Sequence, residues 1–340
     1  MKFYNNYKIL ILGILISIFG FISCKNTEDE IKKINVEKIH LENFEDEVFS
    51  IKASDFKEKD SLLSKKYFPF YQYFIKNIVY LGRETDTANL LIVFINDKDI
   101  RWVYNETKKV FTEQERKKIE EGIFKLHQHI KFYLPEKPLP RRYVTFISGF
   151  NFQIIYPDSS DILAIALDMY LGSNHQVYQW LQWPRYRVKQ LEKDFIIADI
   201  AKAWLFTHYP MGKYSNLLEN MMYYGKIIYA MKKFLPDTHD SIIFSYSKKQ
   251  LDYCHRYEKN LWAYFVEENR LYDNSPKTLS MYLNDGPFTA AISKECPPRI
   301  AMYMAYRIVE NYMNKNDVSL DELLKEENAQ KILQLSKYKP

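Results

Sequence analysis

The chain has 340 residues, 28 Tyr, 22 Phe and 5 Trp among them, with 47% hydrophobic and 27% charged residues. That is enough apolar material for a large core and too much for intrinsic disorder. Glycine occurs only 9 times, which disfavours collagenous and glycine-loop nucleotide folds. The formal charge is +5, and without Lys2 and Lys8 it leaves 46 basic against 43 acidic residues, so no nucleic-acid partner is expected.

Met1–Lys8 carries two lysines and no acid, and Ile9–Ile22 follows as 14 residues broken only by Ser17 and two glycines. A charged start before a short apolar run is the pattern of an export signal, too short for a span of about 20 residues. It ends in Phe21-Ile22-Ser23-Cys24, a small residue before cysteine, which looks like a bacterial lipobox. The expectation is cleavage after residue 23 and lipid on Cys24, with two or three acyl chains holding the protein stably. The alternative is an uncleaved signal anchor. Residues 24–35 are expected to be a polar, mobile tether, and residues 36–340 one globular domain. Cys254 and Cys296 allow one disulfide or two buried thiols, and no CxxC is present.

Along the mature chain, Ile34, Val36, Ile39 and Leu41 suggest an extended segment. Residues 55–79 read as helix, kinked or split by Pro69. Leu90–Ile95 (LLIVFI) is read as a buried strand. A helix is expected over 97–111, and another to Leu134 behind the capping pattern Thr112-x-x-Glu115. Pro135, Pro138 and Pro140 mark the break that follows. Tyr143–Ile147, Phe152–Tyr156 and Ile162–Leu167 are strand-like, and the helical candidates after them are 187–206, 216–234, 248–270, 277–283 and 299–314. Ser319-x-x-Glu322 caps a last helix. The fold class is α+β, mainly helical, with a small sheet before a helical C-terminal half.

Rossmann, P-loop and hydrolase-elbow motifs are missing. No histidine is followed by glutamate, so HExxH is absent. His127 and His129 are two apart, about 200° around a helix, and cannot share a ligand. Asp252, His255 and Glu258 share a face at i, i+3 and i+6; a solvated charged face is the favoured reading over a metal site. The basic run Arg185–Lys189 reads as a loop entering a helix. In Phe195–Phe206 only Asp199 and Lys202 are charged, which predicts a buried helix with a mutually paired Asp199 and Lys202.

Tyr143–Phe152 (YVTFISGFNF), Ala166–Gly172 (ALDMYLG), Gly225 in YYGK, Leu261–Glu267, Asn284–Phe288 (NDGPF), Pro298-Arg299 and Ser336–Pro340 occur in that order behind the lipobox. Together they resemble the gliding-motility lipoproteins of GldB type found in Bacteroidetes. The resemblance implies an outer-membrane lipoprotein, expected on the periplasmic face rather than the cell surface, working with other gliding and type IX secretion envelope proteins. Residues of about 141–316 also look like zincin-type metallopeptidases. Set against those enzymes, Ala198-Asp199-Ile-Ala-Lys202 fills the HExxH position and Tyr224 stands where a third ligand is often placed; Glu219 lies more than a turn away. The resemblance therefore implies a degenerate site with no cofactor, no metal, no catalytic residue and no catalysis. Function is expected to be binding, with the loop Asn284, Asp285, Gly286, Pro287, Phe288 to Arg299 as contact site. The alternatives are a metallopeptidase with an unrecognised ligand set, and a peptide- or glycan-binding lipoprotein.

Overall fold

A computed structural model describes residues 27–80, 87–157 and 160–340. The signal segment and Cys24 lie outside the described residues. Residues 27–32 form a helix, α1, whose Ile31 is buried, and Gln128 donates to the carbonyls of Lys32 and Ile34 at 3.1 Å each. The stretch read as a mobile tether is thus docked on the body from residue 27 onward.

A short strand, β1 (Leu41–Asn43), leads into α2 (Phe44–Phe49) and α3 (Phe56–Lys66). Pro69 splits the next helical stretch: α3 stops at Lys66 and α4 (Phe70–Phe74) starts after the proline, continuing into a π-helical turn at Ile75–Val79. Phe44 is the centre of an aromatic cluster, its ring 5.0–5.1 Å from those of Tyr67, Phe70 and Phe74.

The run LLIVFI is helix, not strand: it lies in α5 (Thr87–Asn96). Its buried residues Leu91 and Ile95 are four apart, whereas Val93 is 62% exposed. Six consecutive apolar residues carry no period of their own, so the local pattern could not separate the two states. Asp97 then caps α6 (Lys98–Val110), accepting from the amides of Asp99 and Ile100. Thr112 caps α7 (Glu113–Tyr133) by accepting from the Glu115 amide.

The sheet comprises β1, β2 (Arg142–Phe146), β3 (Ile154–Ile155) and β4 (Ile162–Ala166), in the order β1-β2-β4-β3. Its first three strands in that order run parallel, with Leu41 opposite Tyr143 and Arg142 opposite Ile162; β3 is antiparallel to β4. All five residues of β4 are buried, as expected of a parallel strand covered on both faces. Beneath it, Arg116 spans Glu45 Oε1 at 2.7 Å and Thr145 Oγ1 at 3.0 Å, so the buried Glu45 carboxylate is paired. The Asp168 carboxylate accepts from the amides of Ser148 and Phe150 at 2.9 and 2.7 Å and from the Ser148 hydroxyl. This ties the YVTFISGFNF and ALDMYLG segments together across the left-handed pair Gly149 and Phe150.

The single helix expected over 187–206 is broken. After α8 (Gln176–Trp180) comes α9 (Arg185–Val188), then a 3-10 turn at Lys193–Phe195, then α10 (Ile196–His208). Extended backbone at Glu192 interrupts the helix, and the Glu192 carboxylate accepts from the Ser173 amide at 2.7 Å. Of the remaining helices, α11 (Leu217–Phe234), α12 (Asp240–Ile243), α13 (Lys248–Glu267) and α14 (Pro276–Leu283) precede the NDGPF loop. It is followed by α15 (Ile300–Lys315), α16 (Leu320–Lys325) and α17 (Ala329–Ser336). Ser247 and Ser319 form capping boxes with Gln250 and Glu322. The molecule is mainly helical with one small sheet. Among the described residues no helix is long and apolar enough to cross a membrane.

Candidate functional site

Helix α10 packs against α7, α11 and β3, so its residues sit between the sheet and the C-terminal helices. Ala198 is buried in the core. Asp199 turns towards the sheet side and accepts from Tyr170 Oη at 2.9 Å and Gln153 Nε2 at 3.1 Å. Burial raises its carboxyl above the ordinary range, opposed by Lys202 and Tyr170. Lys202 Nζ lies 3.7 Å from Asp199 Oδ1, but its side chain is 43% exposed. The expected pairing exists. It is a loose contact at the edge of the core, and Asp199 shares its carboxylate between Lys202 and the neutral donors Tyr170 and Gln153.

Lys202 instead faces a cavity of 200 Å³ that also receives Tyr224 of α11 and Arg299. The remaining walls are Phe206, Ile227, Ile228, Met231, Ile243, Phe244, Ser245, Tyr246 and Met302. The lining thus carries two cations and no carboxylate. Arg299 immediately precedes α15 in a left-handed conformation, φ 56°, and across from it Ser245 has φ 54°. Arg299 Nη2 donates to the Phe244 carbonyl at 3.2 Å. Its Nε is buried without a hydrogen bond, with Asp285 Oδ1 3.5 Å away.

Ser245 and Tyr246 also border a larger open cleft of 920 Å³. Its lining includes Arg185, Tyr186 and Lys189 together with Lys248, Lys249, Asp285, Gly286, Pro287 and Pro298. The basic run read as a loop is therefore α9, and it forms a cleft wall. The loop is firmly seated: Tyr246 donates to the Pro298 carbonyl at 2.5 Å, Thr289 to that of Pro297 at 2.6 Å, and Gln190 to Asp285 at 3.0 Å. Asn284, Asp285 and Pro287 are exposed, and Phe288 is half-buried. Two groups of residues singled out separately in the sequence, 198–224 and 284–299, thus meet at one place. Sequence reading missed Ser245 and Tyr246, which join the cavity to the cleft; no local motif marks a non-glycine left-handed residue.

Other candidates have structural partners. Glu219 accepts from the Ser215 amide at 2.7 Å at the start of α11. Glu258 accepts from Tyr338 at 2.6 Å and Arg307 at 3.0 Å, while His255 contacts Tyr303, so this face binds the C-terminal segment to α13 and α15. His127 is buried against Tyr143 Oη at 2.6 Å. Cys254 and Cys296 are buried free thiols, and burial pushes Cys296 up to about 12. Among the described residues no three His, Cys, Asp or Glu side chains converge as a metal-holding group.

No curated protein and no solved structure matches the chain. The family model described as gliding motility protein GldB matches residues 24–340, from the lipobox cysteine through α17 and the Ser336–Pro340 segment. The chain therefore belongs to the GldB family and is a gliding-motility-related lipoprotein of the cell envelope.

Proposed function

We propose that the protein is acylated on Cys24, sits on the periplasmic face of the outer membrane, and works without catalysis by binding another polypeptide of the gliding and type IX secretion apparatus. The binding element is the cleft between α9, the start of α13 and the Asn284–Arg299 loop. The observation that carries this reading is the 920 Å³ cleft, bordered by the loop and by both ends of the Arg185–Lys189 run. A cleft of this size, walled by charges of both signs, suits an extended segment of a partner. The zincin likeness belongs to the same proposal as an inherited scaffold. At the HExxH position Ala198 offers no ligand atom, Lys202 is a cation that repels zinc, and Asp199 is engaged by Tyr170 and Gln153.

The test is a photo-crosslinking amino acid at Pro287 in intact gliding cells. A covalent adduct with another envelope protein is expected, and it should vanish when the reporter is moved to exposed Lys52, outside the cleft lining. Equal adducts from both positions would sink the cleft reading. Zinc analysis of the purified protein addresses catalysis: less than one equivalent is expected, with no change of melting temperature on adding chelator. Chelator-sensitive peptide cleavage would overturn the non-catalytic assignment.

A further inference from the structure

We infer that the 200 Å³ cavity is a recognition pocket for the C-terminal carboxylate of a polypeptide ending in an apolar residue, with the preceding residues lying in the adjoining cleft. The inference rests on the binding role proposed above and names the chemistry of the bound segment.

Charge comes first. Lys202 and Arg299 line the cavity and no carboxylate does, their acidic neighbours Asp199 and Asp285 lying outside the lining at 3.7 and 3.5 Å. Arginine matches a carboxylate with parallel hydrogen bonds, and such pairing gains strength away from water. The Arg299 guanidinium is already oriented by the Phe244 carbonyl at 3.2 Å, and its Nε still lacks a hydrogen bond. Helix α15 starts at Ile300, so its positive end adds to the same field. Arg299 has a carboxylate partner in the chain's own Asp285, 3.5 Å from Nε and held from its other side by Gln190, while Asp199 lies within its electrostatic reach. Asp285 acts as an internal stand-in that an incoming carboxylate displaces.

Size and shape decide the carrier. The cavity is smaller than the roughly 300–1,000 Å³ typical of drug-sized ligands, and Ile227, Met231, Phe206 and Met302 make its walls apolar. It takes one residue-sized apolar group and excludes a long acyl chain. Because it shares Ser245 and Tyr246 with the 920 Å³ cleft, the rest of a chain has room to continue. Ser245 and Arg299, both non-glycine and both left-handed, store backbone strain at the junction, where ligand clamps often keep it.

The experiment measures binding of fluorescent octapeptides to the full-length protein in detergent. The peptides end in Leu, Ile, Met or Phe and are made as free acids and as C-terminal amides. Acids should bind at least tenfold tighter than amides for one or more of these endings. Lys202→Gln should reduce that ratio at least threefold, and Asp285→Asn should tighten acid binding by removing the competitor. Arg299→Gln should abolish the preference; since Arg299 also braces the 244–245 turn, half-exposed Lys202 gives the deciding variant. Equal affinity for acids and amides, a ratio unchanged in Lys202→Gln, no peptide binding, or binding of octanoate alone would each overturn the pocket assignment. The first two leave the Pro287 crosslink, and with it the cleft reading, intact. Acid-selective binding without that crosslink keeps the pocket and removes the envelope partner.

Discussion

Asp199 and Lys202 look equivalent in the sequence, two charges in an apolar helix, but their surroundings give them different weights. Lys202 is 43% exposed and 3.7 Å from its partner, so Lys202→Met should cost less than about 1 kcal/mol. Asp199→Leu should cost about 2–3 kcal/mol, because the fully buried Tyr170 hydroxyl loses its acceptor. Urea unfolding of both variants checks the order; equal losses would show that the ion pair, not the hydrogen bonds, holds Asp199. A second residue effect follows from His127. Burial holds its pKa at about 4, below the 6.5 of an exposed imidazole. Between those values the unfolded chain binds a proton that the folded one refuses. His127 thus makes stability fall as pH drops from 6.5 towards 4, by on the order of 3 kcal/mol in total. His127→Gln, which keeps a partner for Tyr143, should flatten that limb. An unchanged difference between pH 7 and pH 4.5 would count against it.

Helix contacts explain why one glycine stands in the middle of α11. A Cβ on Gly225 would lie 2.6 Å from the Ala305 carbonyl carbon and 2.8 Å from its oxygen, so α11 and α15 touch backbone to side-chain position there. Gly225→Ala should lower stability by about 1–3 kcal/mol despite alanine's better helix propensity, and melting of the variant checks it. Much at this scale was legible in the sequence. The caps at Thr112 and Ser319, the three strands after the proline break, and the split at Pro69 rest on local chemistry, and local chemistry decides them. LLIVFI was not legible, because an unbroken apolar run has no period. Nor was the break before α10, which depends on Glu192 reaching back to Ser173. The cavity was half legible: Lys202 and Arg299 each stood out, but 97 residues separate them and only the packing of α10, α11 and α15 brings them to one wall.

For the whole molecule, the family match implies a lipoprotein, and Cys24→Ala tests where the lipid is attached. Palmitate labelling should disappear and an uncleaved precursor accumulate; a labelled variant would move the anchor elsewhere. The docked α1 gives that anchor a mechanical meaning. Three Cα steps of about 3.8 Å separate Cys24 from Thr27, so a lipid carried on Cys24, as proposed, would be tied within about 11 Å of the folded body. A protein so mounted would behave as a bracket bolted to the leaflet rather than a float on a line. On the proposed reading its cleft would keep a nearly constant height above the leaflet, and a search for a partner would run in two dimensions, where a short leash maintains a high local concentration. Inserting a flexible ten-residue Gly/Ser segment after Cys24 should leave folding and acylation untouched and weaken the Pro287 crosslink in cells, which sets standoff distance, not affinity, as the quantity this anchor controls.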